Sequence, residues 1–228
     1  KKLDMCDIAK VAGRMGVKTG DGRDIAMNAP FSILGSDNVD PLSMAGAYAT
    51  IANNGTFCQP KAIDRVIDSE GRDLTPKTQC EQVIEPNVAA TTAWALEGVM
   101  NGGGTGTAAN AYDGVPVIGK TGTHQTYQTW MIQSSTAVTT AVWVGTTQNQ
   151  GDLPYRWHND RELNRLRFDI SARMQSMANN LYGGGAFAEP DDFLTRVVMR
   201  DLPNVVGMSI VDSEAELWDA GFDSEVGD

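Results

Sequence analysis

Leu3, Met5, Ile8, Val11, Ala12 and Met15 recur at helical spacing, which gathers them toward one face and predicts a helix over residues 3–15. Gly16 is its terminator. In DPLSMAGAYATIANNG, Asp40 can cap, Pro41 suits the first helical position, an apolar stripe runs to Ile51 and Gly55 closes the element, so a second helix is expected there. EPNVAATTAWALEGVMNGGG repeats the proline start and glycine stop of a helix, whereas Ile63, Arg65 and Ile67 alternate ahead of a SEGR turn and predict a hairpin. Val115 to Ile118 are stiff residues that favour an extended chain, and alternating segments at 126–135 and 137–146 predict two more strands. A helix from Ile170 to Leu181 would cover them. The expected class is α+β: an antiparallel meander with helices on both sides.

Composition narrows this picture. With 228 residues, 41% of them hydrophobic, the chain can bury a core in one or two domains. The net charge of -11 excludes a nucleic-acid surface, which needs a basic stripe to neutralise phosphates. That charge is uneven: residues 1–188 carry 16 basic and 18 acidic side chains, while residues 189–228 carry 2 and 11. The tail is therefore expected to be a separate unit. Cys6, Cys58 and Cys80 are odd in number, far apart and outside any CxxC pair, which suggests buried free thiols rather than a disulfide framework or a zinc site. His124 and His158 lack metal-ligand spacing, so neither a metal nor any other cofactor is expected. No apolar run is long enough to span a membrane and no signal peptide opens the chain. KKLDMCDIAK begins without Met and directly in a helical pattern, which suggests a piece of something longer whose anchor lies upstream.

GVPVIGKTGTHQ, residues 114–125, satisfies two chemical signatures. Counted from Gly114, it has the glycine, lysine and threonine spacing of a phosphate loop; counted from Lys120, it is the KTGT of penicillin-binding enzymes. A phosphate loop wraps an anion with flexible backbone and then opens a helix. Val115, Pro116, Val117 and Ile118 are too stiff to wrap, and no helix signal follows Thr121. On the second reading, a strand presents Lys120 on one face, Gly122 leaves space for a substrate, and Thr121 and Thr123 offer hydroxyls.

SDNVDPLSMAGAYATIANNGTFCQP, GGTGTAA, GKTGTHQTYQTWMI and TTAVWVG occur in that order, and together they resemble the C-terminal half of the transpeptidase domain of class A, bifunctional penicillin-binding proteins. The resemblance covers residues 1–185. Residues 186–200 read as a linker, and residues 201–228 are similar to the first strand and helix of a PASTA module. The resemblance implies acyl transfer: the serine of an SxxK motif attacks a D-Ala-D-Ala peptide bond, and a neighbouring amine then takes the acyl group. It implies that Lys120 supplies positive potential and bonds the serine of an SxN motif, that Thr121 and Thr123 hydroxyls bind the substrate carboxylate, and that the Thr123 N–H joins the oxyanion hole. Gly122 and His124 would border the same substrate. The implied partners are peptidoglycan stem peptides, β-lactams, the missing N-terminal half of the domain and a glycosyltransferase domain, outside a membrane to which the parent is anchored.

The chain departs from that pattern in one respect: no serine is followed three residues later by lysine, so the nucleophile is absent and the chain alone is expected to be inactive. Ser36, Asp37 and Asn38 spell a literal SxN, yet they precede the DPLSMAGAYA helix and read as turn formers. Gly102, Gly103, Gly104 and Gly106 read as a helix stop that could also shape the groove. Trp130 and Trp143 read as sheet packing, and His124 as a rim residue or a bystander. Residues 147–168 show no period, and their four arginines suit either a local insertion or a partner surface. A non-catalytic module that binds muropeptide or a partner is the competing expectation.

Overall fold

The computed structural model describes residues 4–26, 28–35, 37–148, 151–196 and 201–226. Helix α1 (Met5–Arg14) starts where the Asp4 carboxylate accepts the Cys6 N–H at 2.8 Å. Helix α2 (Pro41–Ala52) begins in the same way, with Asp40 accepting the Ser43 N–H at 2.7 Å and Pro41 filling a position that needs no donor. Strands β1 (Thr56–Cys58) and β2 (Cys80–Gln82) pair antiparallel, and helix α3 (Pro86–Met100) follows. The meander is β3 (Ile118–His124), β4 (Gln128–Ser134) and β5 (Thr139–Gly145). A two-residue hairpin, β6 (Trp157–His158) with β7 (Arg161–Glu162), leads into α4 (Leu166–Tyr182). The short α5 (Asp192–Thr195) and α6 (Ile210–Asp219) complete the described helices. The antiparallel sheet flanked by helices is the expected class.

The chain divides into two compact units, Lys1–Leu194 and Thr195–Asp228. Packing in the first reaches beyond residue 185: Phe187 sits against the core cluster and the Asp191 N–H donates to Thr91 Oγ1 at 3.0 Å. In the second, Ser209 caps α6 by accepting the Asp212 N–H at 3.2 Å. Helix α6 is the regular element of this unit among the described residues. The strand expected ahead of it is not found among the described residues: Val205 and Val206 pair with no other strand there.

In the three-stranded sheet the order is β3-β4-β5, which leaves β3 outermost. Lys120 pairs with Ile132, Gly122 with Trp130, and Trp130 with Trp143, so these side chains share one face. Thr121 pairs with Met131 and lies on the other. Ile51 and Ala52 of α2, Ala93 of α3 and Ile118 of β3 form one apolar cluster; Met100, Ala109, Val117 and Met131 form the second. Helix α3 thus packs along β3 and touches both faces. Gly119 makes this possible, since a Cβ there would collide with the Met100 sulfur and come within 2.8 Å of the Ile132 carbonyl oxygen.

Two expectations change on contact with the structure. Cys58 and Cys80 are a disulfide, with Cα atoms 4.0 Å apart, and Cys6 is a free exposed thiol. Their pairing follows from strand register across β1 and β2, which spacing along the chain does not reveal. Helix α4 does cover the sheet, but beyond Phe168, which packs on the second apolar cluster, it does so through polar residues. Ser171, Gln175 and Asn179, four residues apart, are at most 5% exposed, whereas Ile170, Met174, Met177 and Leu181 are between 40% and 72% exposed. Buried amides satisfy one another: Gln133 Nε2 donates to Ser171 Oγ at 2.7 Å and Ala109 O at 3.0 Å. Thr140 Oγ1 donates to Gln175 Oε1 at 2.7 Å, and Gln175 Nε2 to Asn179 Oδ1 at 2.9 Å.

Candidate functional site

Strand β3 brings Lys120, Thr121, Gly122, Thr123 and His124 to the outer side of the sheet. Lys120 is exposed; its ammonium donates to the Thr121 carbonyl at 3.0 Å and makes no ion pair among the described residues. Lys120 lies within a strand, and the next element is another strand, so no helix N-terminus exists here to hold a phosphate. Gly122 has a local structural reason. A Cβ on it would lie 3.0 Å from Trp130 Cβ, so the indole can cross over the strand only where no side chain stands. His124 is half-buried, edge-on to Tyr127 with ring centroids 5.8 Å apart.

Thr121 and Thr123 project from the opposite face, and each hydroxyl has a specific neighbour. Thr121 Oγ1 lies 3.0 Å from Thr105 Oγ1. Thr123 Oγ1 accepts a hydrogen bond from Arg167 Nη1 at 2.9 Å, and the same nitrogen donates to the Gly122 carbonyl at 2.9 Å. Arg167, in the first turn of α4, rests its guanidinium 4.6 Å from the Phe168 ring centroid. Burial pulls its pKa down from the usual arginine range, and its buried Nε has no hydrogen-bond partner among the described residues.

Beside β3 opens a cleft of about 640 Å³, lined by the strand from Lys120 to His124, by Trp130, Ile132 and Trp143 of the sheet, and by Met44 and Tyr48 of α2. Both tryptophans are half-buried on this face, so they pack on the sheet and border the cleft together. Burial pushes the Tyr48 phenol up to about 12. Asp37 and Asn38 also line the cleft, with Asp37 at a bend and its buried Oδ2 unpartnered among the described residues; Ser36 lies outside the described residues. Gly102 and Gly103 adopt positive φ of 58° and 88° just after α3, as a helix stop does. Among the described residues no three His, Cys, Asp or Glu side chains gather as a metal site would require.

The sequence reading missed Arg167, Thr105 and Tyr48. Arg167 stands in the aperiodic stretch and meets Thr123 across 44 residues; no local pattern announces such a contact. Thr105 was hidden by the glycines around it, and Tyr48 by its place in an apolar helix stripe.

An outermost strand carrying KTGT, in an antiparallel sheet between helices and beside an apolar cleft, defines the penicillin-binding transpeptidase-like fold. The family described as the penicillin binding protein transpeptidase domain matches residues 12–153, and the chain belongs to it. It is 37% identical over 108 residues to penicillin-binding protein 1A of Clostridium botulinum, covering 46% of this chain and 13% of that protein. Against penicillin-binding protein 1B of Escherichia coli the identity is 31% over 137 residues, covering 59% and 16%. The chain thus spans about a sixth or less of the length of these relatives. Among solved structures, PonA1 of Mycobacterium tuberculosis in complex with penicillin V superimposes with a TM-score of 0.66 at 24% identity, covering 81% of this chain and 52% of that one.

Proposed function

We propose that this chain supplies one wall of the active site of a serine-type peptidoglycan D,D-transpeptidase, and that the SxxK nucleophile comes from a preceding part of the same polypeptide. The observation that carries the reading is the set on β3: an ammonium with no counter-ion among the described residues and, from the strand's other face, two hydroxyls, all lining one apolar cleft. Lys120 would attract the carboxylate that ends a stem peptide or a penicillin. Thr121 and Thr123 would hold it, and the Thr123 N–H would stabilise the oxyanion as the serine oxygen adds to the carbonyl. The peptide bond then breaks, D-alanine leaves with the serine proton on its amine, and a second strand's amine takes the acyl group.

Two apolar surfaces support a preceding segment as structural partner: the cleft floor, and the outward stripe of α4 at Ile170, Met174, Met177 and Leu181. No helix among the described residues is long and apolar enough to cross a membrane, so an anchor and a glycosyltransferase domain would belong to the rest of the polypeptide. The Cys58–Cys80 bond fits an oxidising, extracytoplasmic setting. In this reading residues 1–185 form the transpeptidase part, 186–200 a connecting segment whose first residues pack back on it through Phe187 and Asp191, and 201–228 the opening of a PASTA-like module.

The test is covalent labelling of the full polypeptide by a fluorescent penicillin. Labelling is expected, with a rate lowered about 100-fold by Lys120→Ala or Thr123→Val. A folded full polypeptide that takes no label would remove the enzyme reading and favour a non-catalytic module that binds muropeptide.

A further inference from the structure

We infer that Arg167 is a positioning residue for the KTGT strand, acting through the Thr123 hydroxyl to favour ligands that end in a free carboxylate; the inference rests on the transpeptidase reading above. The geometry is specific. One guanidinium nitrogen, Nη1, donates to Thr123 Oγ1 and to the Gly122 carbonyl, both at 2.9 Å, and so ties the second half of the motif to the start of α4.

A hydroxyl has one proton and two lone pairs. With a lone pair of Thr123 engaged by Arg167, the hydroxyl proton is left to donate outward, which is the polarity an incoming carboxylate requires. A cation behind the hydroxyl also strengthens that donation, because hydrogen bonds involving an ionised group are about twice as strong as neutral ones. The same charge adds to the potential of Lys120, the cation of the motif itself. Arg167 has little freedom to serve otherwise. Its pKa is lowered by burial, its guanidinium lies over the Phe168 ring, and the acid nearest in sequence, Asp169, is already bonded to Arg161 at 2.8 Å. Gly122 explains why the carbonyl is held too. A glycine in a strand interior is its most pliable point, and the bond to its carbonyl removes that slack beside the residue that must face the substrate.

The experiment compares two fluorescent penicillins on the full polypeptide, one with its carboxylate free and one with the carboxylate methylated, both labelled on the acyl side chain. Arg167→Gln is expected to slow acylation by the free acid about 10- to 100-fold, the scale of a lost hydrogen bond to a charged group. Acylation by the ester should change less than about 3-fold, and Arg167→Lys should restore part of the acid preference, since charge returns without the planar fork. A merely structural role would slow both probes alike, so an equal loss overturns the inference, as does an unchanged acid rate in a variant with unaltered melting. Where Arg167→Gln melts early, Arg167→Lys is placed in a cycle with Thr123→Val. If Arg167 acts through that hydroxyl, the lysine substitution has no further effect on the acid rate once the hydroxyl is gone; additive effects refute it. If the unsubstituted polypeptide labels with neither probe, the transpeptidase reading fails first and takes this inference with it.

Discussion

Breaking the Cys58–Cys80 bond is the perturbation whose size the structure fixes best. The bond closes a loop of 22 residues in sequence separation between β1 and β2, and both strands are only three residues long. Such strands have little ladder to hold them. The entropy of closing a loop of this length in the unfolded chain gives about 3 kcal/mol. With a urea dependence of about 2 kcal/mol per molar, the unfolding midpoint of Cys58→Ser/Cys80→Ser should fall by about 1.5 M, followed by tryptophan fluorescence. A thiol-reactive dye added to the unfolded, unreduced chain should count one thiol, that of Cys6. Three reactive thiols, or a midpoint that the double substitution leaves in place, would refute the reasoning.

Gln175→Ala removes the partner of Thr140 and one donor to Asn179 in a buried setting, and should cost about 2–4 kcal/mol in urea unfolding; a loss under 1 kcal/mol would mean water takes over those bonds. Gly122→Val places branched carbons where a Cβ alone already sits 3.0 Å from Trp130 Cβ, and should lower stability by about 1–3 kcal/mol with a shift in indole emission; unchanged emission would show that the indole does not cross the strand. Tyr48 keeps its proton in the fold after the unfolded chain has lost it, so its contribution is intact below the ordinary phenol value of 10.0 and fades as pH rises through about 12, a loss of about 2–3 kcal/mol. Tyr48→Phe should flatten that fall and remove the late-titrating component of the phenolate absorbance.

Much of the fold was legible because local rules agreed with tertiary ones. Asp40 and Pro41 mark the start of α2 whatever packs on it, and β3, β4 and β5 announce themselves by alternation and short turns. The motif strand was legible for the same reason: stiff residues ahead of Lys120 exclude a wrapping loop. What the sequence withheld depends on distance. The partner of Cys58 is set by strand register, and Arg167 reaches Thr123 from an aperiodic stretch. Helix α4 misleads in a further way. From Ile170 to Leu181 its apolar residues form a stripe that points outward, and behind Phe168, which packs on the core, the side against the sheet is made of Ser171, Gln175 and Asn179.

That polar underside governs how the helix can behave. Oil-like surfaces tolerate sliding, since one methyl group replaces another with little change in energy. Amides do not, because donors and acceptors must meet at set angles. A shift of α4 by a single residue, a rise of about 1.5 Å and a turn of about 100°, would unseat Gln133, Thr140 and Gln175 at once. The helix is therefore keyed in one setting, like a cog with three teeth, and the guanidinium at its head is delivered to the same spot on the neighbouring strand each time the chain folds.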